Sequence, residues 1–129
     1  CLSYWTQQSE MIPEEFWPGI GKYLFGCDIC QLVCPRNKIA VDNGLPQNIT
    51  PFVFPSPFEI VVMDEKGYER YFSKTHLTKS KRLKRNALIA MTVNRDPRLE
   101  EALAKAEQDA DPVLLATVRQ IRKYRGVEN

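Results

Sequence analysis

Hydrophobic and polar positions follow two different rules along this chain. From Cys1 to Pro57 the apolar residues come in short clusters broken by proline and turn dipeptides, and beyond Phe58 they recur at helical spacing. Ile12–Phe25 predicts a short helix near Glu14, stopped by Pro18 and Gly19. Val41–Pro57 carries Asn-Gly, Leu-Pro, Thr-Pro, Phe-Pro and Ser-Pro steps, which force extended or turn backbone. It reads as a connector whose Phe52 and Phe54, with Phe58, pin it to a neighbouring surface, and the domain boundary is placed there. In 58–72, Ile60, Val61 and Val62 before Glu65-Lys66-Gly67 fit a hairpin, whereas Asp64 fits the cap of a helix through Phe72; helix is preferred because nothing nearby supplies a sheet. Thr78–Asn94 predicts a helix with Leu83, Ala87, Ala90 and Met91 on one face. Asp96-Pro97 and Asp111-Pro112 each place a capping carboxylate before a proline suited to the first helical position. The spacing after each, fifteen residues apart, predicts an antiparallel helix pair of the kind that stacks in HEAT-type solenoids.

Composition sharpens the division. The 129 residues are 43 % apolar and 26 % charged, which excludes wholesale disorder, and the net charge is only +2. Residues 1–57 hold all four cysteines and seven of nine prolines; residues 58–129 hold fifteen of the eighteen basic residues. No apolar run approaches the ~18 residues of a membrane span, and no charged n-region precedes an apolar one. A first residue of Cys rather than Met leads us to expect the C-terminal piece of a longer protein, with an acylated lipoprotein start as the alternative. The expected fold class is mainly α: an iron–sulfur segment with little regular structure over 1–57, then a helical domain over 58–129.

The stretch Gly-Cys-Asp-Ile-Cys-Gln-Leu-Val-Cys-Pro carries Cys27, Cys30 and Cys34. Bacterial ferredoxins hold clusters with C-x2-C-x2-C-x3-C-P, the fourth cysteine of which serves the other cluster in two-cluster versions. The last three cysteines and the proline are present, and Leu24 stands in the first position. Closely spaced thiolates in a tight loop reach neighbouring corners of a cubane, while loop N–H groups can bond its sulfides. Either all four cysteines close one cluster, or Cys1, Cys27 and Cys30 share one with an upstream cysteine while Cys34 serves a second. A four-cysteine zinc site is the main rival. Disulfides and a thioredoxin-type pair fit the context less well.

The segments Cys-Leu-Ser-Tyr-Trp-Thr-Gln-Gln, Ile12–Asn37 and Lys-Ser-Lys-Arg-Leu-Lys-Arg-Asn-Ala-Leu-Ile-Ala-Met resemble, in order, the C-terminal portion of the tRNA epoxyqueuosine reductase family. The resemblance runs from Cys1 to Arg125. It implies a ferredoxin-like domain with two [4Fe-4S] clusters, followed by a HEAT-like domain that grips tRNA. Cobalamin would sit in an N-terminal domain absent from this chain. Cys1, Cys27 and Cys30 match ligands of one cluster, and Cys34 matches the crossing ligand of the other. Arg36 stands where the family usually has Trp. The implied activity is reduction of epoxyqueuosine to queuosine at the tRNA wobble position, with this piece inactive alone. The implied setting is a cytoplasmic monomer fed by an external electron donor.

Charge patterning adds a candidate surface. Arg70–Arg95 contains eight Lys or Arg, His76 and no acid. Lys79, Lys81, Arg82, Lys84 and Arg85 crowd the start of the predicted helix, with Lys81 and Arg85 set opposite Leu83 and Ala87; Arg119, Arg122, Lys123 and Arg125 repeat the theme in the last helix. Such faces attract phosphate backbones through counterion release. Solvated surface cations, or cations complementing a helix C-terminus, are the plainer reading, and for His76 an ordinary surface or cap role. Two other functions remain open: an electron-transfer domain of a different reductase, and a zinc-stabilised nucleic-acid-binding module.

Overall fold

A computed structural model describes residues 1–38, 54–73 and 80–128. Every regular element among them is helical. In chain order these are α1 (Leu2–Gln7), a 3-10 turn (Glu14–Phe16) running into α2 (Trp17–Ile20), α3 (Ile29–Leu32), a second 3-10 turn (Pro35–Asn37), α4 (Pro57–Val62), α5 (Glu65–Phe72), α6 (Ser80–Val93), α7 (Leu99–Ala106) and α8 (Pro112–Glu128). None of them is long and apolar enough to cross a membrane. Most of the proline-rich connector, with Phe52, and also His76 and Lys79, lie outside the described residues.

Local chemistry accounts for the element starts. Ser56 and Glu59 form a reciprocal capping box at α4, with Pro57 in the first turn where its missing N–H costs nothing. Asp64 caps α5, its carboxylate accepting from Gly67 N at 2.7 Å, so 58–72 is a helix pair and not a hairpin. Asp111 accepts from Leu114 N at 2.9 Å and opens α8 as the sequence predicts.

The other Asp-Pro step behaves differently. Arg95 adopts φ +54°, its N–H bonds Thr92 O, and Asp96 N–H bonds Met91 O. That is the double closure of a helix C-terminus. Asp96 is thus still closing α6; its carboxylate then holds Arg98 N at 2.9 Å, and α7 begins only at Leu99. The N-terminal prediction also shifts: Pro18 and Gly19 do not stop a helix but lie within α2. Gly19 lies close against Leu2, whose side-chain end would have to shift to admit a Cβ there.

Helix α6 is the axle of the molecule. Leu83 and every residue from Arg85 to Thr92 are buried, and α1, α2, α4, α7 and α8 all contact it. A helix apolar on all sides belongs inside a fold, so the one-faced reading of 78–94 understated its burial. Ile12, Trp17 and Ile20 share a single core with Ile60, Leu88, Leu103, Leu114 and Ile121. The boundary drawn at residue 57 therefore does not separate two hydrophobic cores. Phe58 packs against the edge of this core with Arg98 stacked 4.5 Å over its ring, and Phe54 meets Phe72 at 5.7 Å.

Candidate cysteine and basic site

All four cysteines are free thiols; Cys1 and Cys30 are exposed, Cys27 and Cys34 half-buried. Cys1 sits at the N-cap of α1. Cys27 follows Gly26, whose φ of +74° is left-handed and whose absent Cβ would meet nothing, so glycine serves the backbone angle alone. Cys30 lies in α3, and Cys34 precedes the turn begun by Pro35. Ile29, Leu32 and Val33, flanking Cys30 and Cys34, point outward.

Among the described residues no three His, Cys, Asp or Glu side chains come together as a metal-holding group. Three of the four thiols lie between residues 27 and 34, with Asp28 as the one carboxylate among them and no imidazole. Thiolate donors of that kind suit iron–sulfur ligation, and they also suit zinc.

The segment bearing Cys1 and the loop bearing Cys27 are tied to α6 by one polar node. Arg85 is 1 % exposed. Its guanidinium donates to Trp5 O at 3.1 Å, to Gln8 O at 2.8 Å, to Glu10 O, and to Asn86 Oδ1 at 2.9 and 3.0 Å. These carbonyls include orphan acceptors at the end of α1, and they supply the partial negative charge that a buried cation needs. Burial nonetheless pulls its pKa well below the ordinary arginine value, to about 10, with Arg82's charge adding to the fall. Asn86 Nδ2 donates to Thr6 O at 2.9 Å and Leu24 O at 2.7 Å, and Thr6 Oγ1 accepts from Gly26 N at 2.9 Å.

The basic cluster read from sequence divides accordingly. Arg85 does not stand opposite Leu83; it points inward and its donors are spent on backbone carbonyls, which removes it from any phosphate-facing set. Arg82 shares a shallow depression of about 640 Å³ with Cys1, Tyr4, Gln7 and Glu10. Lys81 pairs with Asp109, and Arg122 pairs with Glu107 at 2.9 Å. Lys84 is half-buried, and burial lowers its pKa despite the nearby Asp109 charge. Burial works to raise the Asp109 pKa, but hydrogen bonds from Lys81 and Asp111 N and the charges of Lys81 and Lys84 hold it below the ordinary carboxylate value. The stretch that is free of acid in sequence thus meets Asp109, which lies in the turn after α7. Neither Asp109 nor Glu107 was included in the sequence reading, because their only signal is contact between distant elements.

Comparison with known proteins follows the same outline. No family model matches the chain. It is 31 % identical over 132 residues to the epoxyqueuosine reductase of Bacillus subtilis, a match covering 91 % of this chain and 32 % of that protein. The structure of the Streptococcus thermophilus epoxyqueuosine reductase superposes with a TM-score of 0.72 at 29 % identity, over 92 % of this chain and 32 % of that one. An epoxyqueuosine reductase crystallised with an epoxyqueuosine-modified tRNA-Tyr stem loop superposes with a TM-score of 0.68 at 26 % identity, over 92 % and 33 %. In sequence and in fold the chain is therefore similar to a part of epoxyqueuosine reductase, and it spans about a third of the length of these relatives.

Proposed function

We propose that this chain is the C-terminal part of an oxidoreductase that reduces epoxyqueuosine to queuosine in tRNA. The observation that carries this reading is the agreement of sequence and fold with epoxyqueuosine reductases over more than nine-tenths of the chain. The tRNA anticodon stem–loop is the macromolecular partner, a reading supported by the relative crystallised with such a stem loop. The protein acts in the cytoplasm as a monomer and takes electrons from an external donor.

Residues 1–57 act as the end of a ferredoxin-like domain and residues 58–129 as a HEAT-like domain. Helices α7 and α8, in contact with each other and both packed on α6, support the second assignment. Cys1, Cys27 and Cys30 ligate one [4Fe-4S] cluster and Cys34 a second, the remaining ligands coming from the rest of the enzyme, which also holds cobalamin. Bound clusters supply single electrons for the reduction. The residues of this chain fix thiolate positions, and the outward Ile29, Leu32 and Val33 supply apolar cover for the parts that meet them. In the longer enzyme, purified anaerobically, Cys27→Ser and Cys30→Ser are expected to lower bound iron and sulfide and abolish epoxyqueuosine reduction. A wild-type enzyme that binds zinc in place of iron, or full iron in both variants, would refute the ligand assignment.

Lys81, Arg82, Lys84 and Arg122, with Lys79, contact tRNA phosphates. Lys81 and Arg122 exchange surface carboxylates for phosphate at little cost, since such exposed pairs contribute about 0–1 kcal/mol. Replacing Lys81, Arg82 and Lys84 together by Ala is expected to weaken tRNA binding by roughly tenfold or more at moderate salt and to flatten its salt dependence. Filter binding across a salt series measures both, and an unchanged slope would remove these residues from the interface.

A further inference from the structure

Two cysteine-bearing segments far apart in sequence meet at one point, and that point is not a cysteine. Thr6, four residues beyond the α1 start, accepts Gly26 N–H through Oγ1 at 2.9 Å, directly beside Cys27. Asn86 Nδ2 bridges Thr6 O and Leu24 O at 2.9 and 2.7 Å, one hydrogen bond to each segment. Asn86 Oδ1 is in turn fixed by two donors of Arg85, whose other donors hold Trp5, Gln8 and Glu10 carbonyls. Asn86 and Thr6 are fully buried. Every polar atom of the Asn86 amide is used, so its orientation is set and cannot flip without losing bonds at both ends.

We infer that Asn86 and Thr6 are positioning residues for the cysteine ligands: they fix the spacing and direction of Cys1 relative to Cys27, while Arg85 locks Asn86. The inference rests on the reading that these cysteines bind an iron–sulfur cluster. The rigid core helix α6 serves as a ruler, since Asn86 is held within a buried turn that neither cysteine segment can deform alone. A ligand displaced by a fraction of an ångström still folds with its helix but holds iron less well, because cluster assembly needs its thiolates at set corners. Gly26 N–H, once released from Thr6, would also alter the hydrogen bonding next to Cys27, and such bonds tune cluster potential.

The test uses the full enzyme, reconstituted anaerobically with iron and sulfide. Thr6→Val keeps the side-chain shape and removes the acceptor for Gly26 together with the hydroxyl's own bond to Ser3 O, and Asn86→Ala removes the bridge. Both are expected to retain helical circular dichroism while showing lower iron and sulfide per chain, and an altered electron paramagnetic resonance signal and midpoint potential in the iron that remains. Asn86→Ala should lose the larger share; Thr6→Ser, which restores the hydroxyl, should recover wild-type values. Wild-type iron content, signal and potential in Thr6→Val would overturn the inference. If Asn86→Ala fails to fold, the Thr6 pair decides alone. A wild-type enzyme without iron or sulfide would instead overturn the cluster reading on which it stands.

Discussion

Replacing Arg85 with methionine is expected to destabilise the protein by about 3 kcal/mol or more, although the substitution removes a charge from the interior. Methionine fills similar space but leaves the carbonyls of Trp5, Gln8 and Glu10 without their donors, and Asn86 Oδ1 without both of its partners. A buried acceptor stripped of its donor costs about 1–3 kcal/mol, reduced for those that water can reach. The loss should fall first on residues 1–10, because the guanidinium is what closes the end of α1. Urea denaturation followed by circular dichroism should show a lower midpoint at nearly constant slope, whereas Arg82→Met, three residues earlier and part-exposed, should stay within about 0.5 kcal/mol of wild type. Equal midpoints for the two variants would show that the Arg85 bonds are not stabilising.

The second large effect is expected at Trp17. Its side chain is fully buried, its indole N–H donates to Ile12 O at 3.0 Å, and its ring lies 4.9 Å from that of Tyr124 in α8. Trp17→Ala should cost about 3–5 kcal/mol, the range for emptying an aromatic site that cannot collapse. Trp5, half-buried and stacked 4.8 Å from Phe16, remains as a fluorescence reporter of the amino-terminal segment in this variant. Its emission should shift red at lower denaturant than in wild type. Tyr4→Ala, at an exposed ring, serves as the control and should change stability little. A Trp17→Ala variant as stable as the control would mean that the amino-terminal segment does not share the core of the later helices.

These two residues also mark where sequence reading reached and where it stopped. Asp64 and Asp111 were legible as caps because the signal is local: a carboxylate, a two- or three-residue offset and a favourable next residue. Asp96 had the same signal and a different outcome, since Arg95 closes the preceding helix in a left-handed conformation that proline spacing does not reveal. The five apolar residues Ala87–Met91 did carry a cue for all-round burial of α6, which the search for a one-sided face passed over. Arg85 carried no such cue. A cation inside a run of cations reads as surface, and the acceptors that make its burial tolerable come from residues about eighty positions earlier. The same holds for Lys81 and Arg122, whose acidic partners arrive from the turn after α7. For the cysteines, spacing suggests thiolate chemistry, and the bonds that tie the Cys1 segment to the Cys27 loop run through Thr6 and Asn86, neither of which resembles a ligand.

Insertion of Ile12, Trp17 and Ile20 among the later helices has a mechanical consequence. The stretch leading from Cys1 and helix α8 share one core, with the Trp17–Tyr124 contact joining them. A substitution that loosens the packing of α8 is therefore expected to loosen the amino-terminal segment as well.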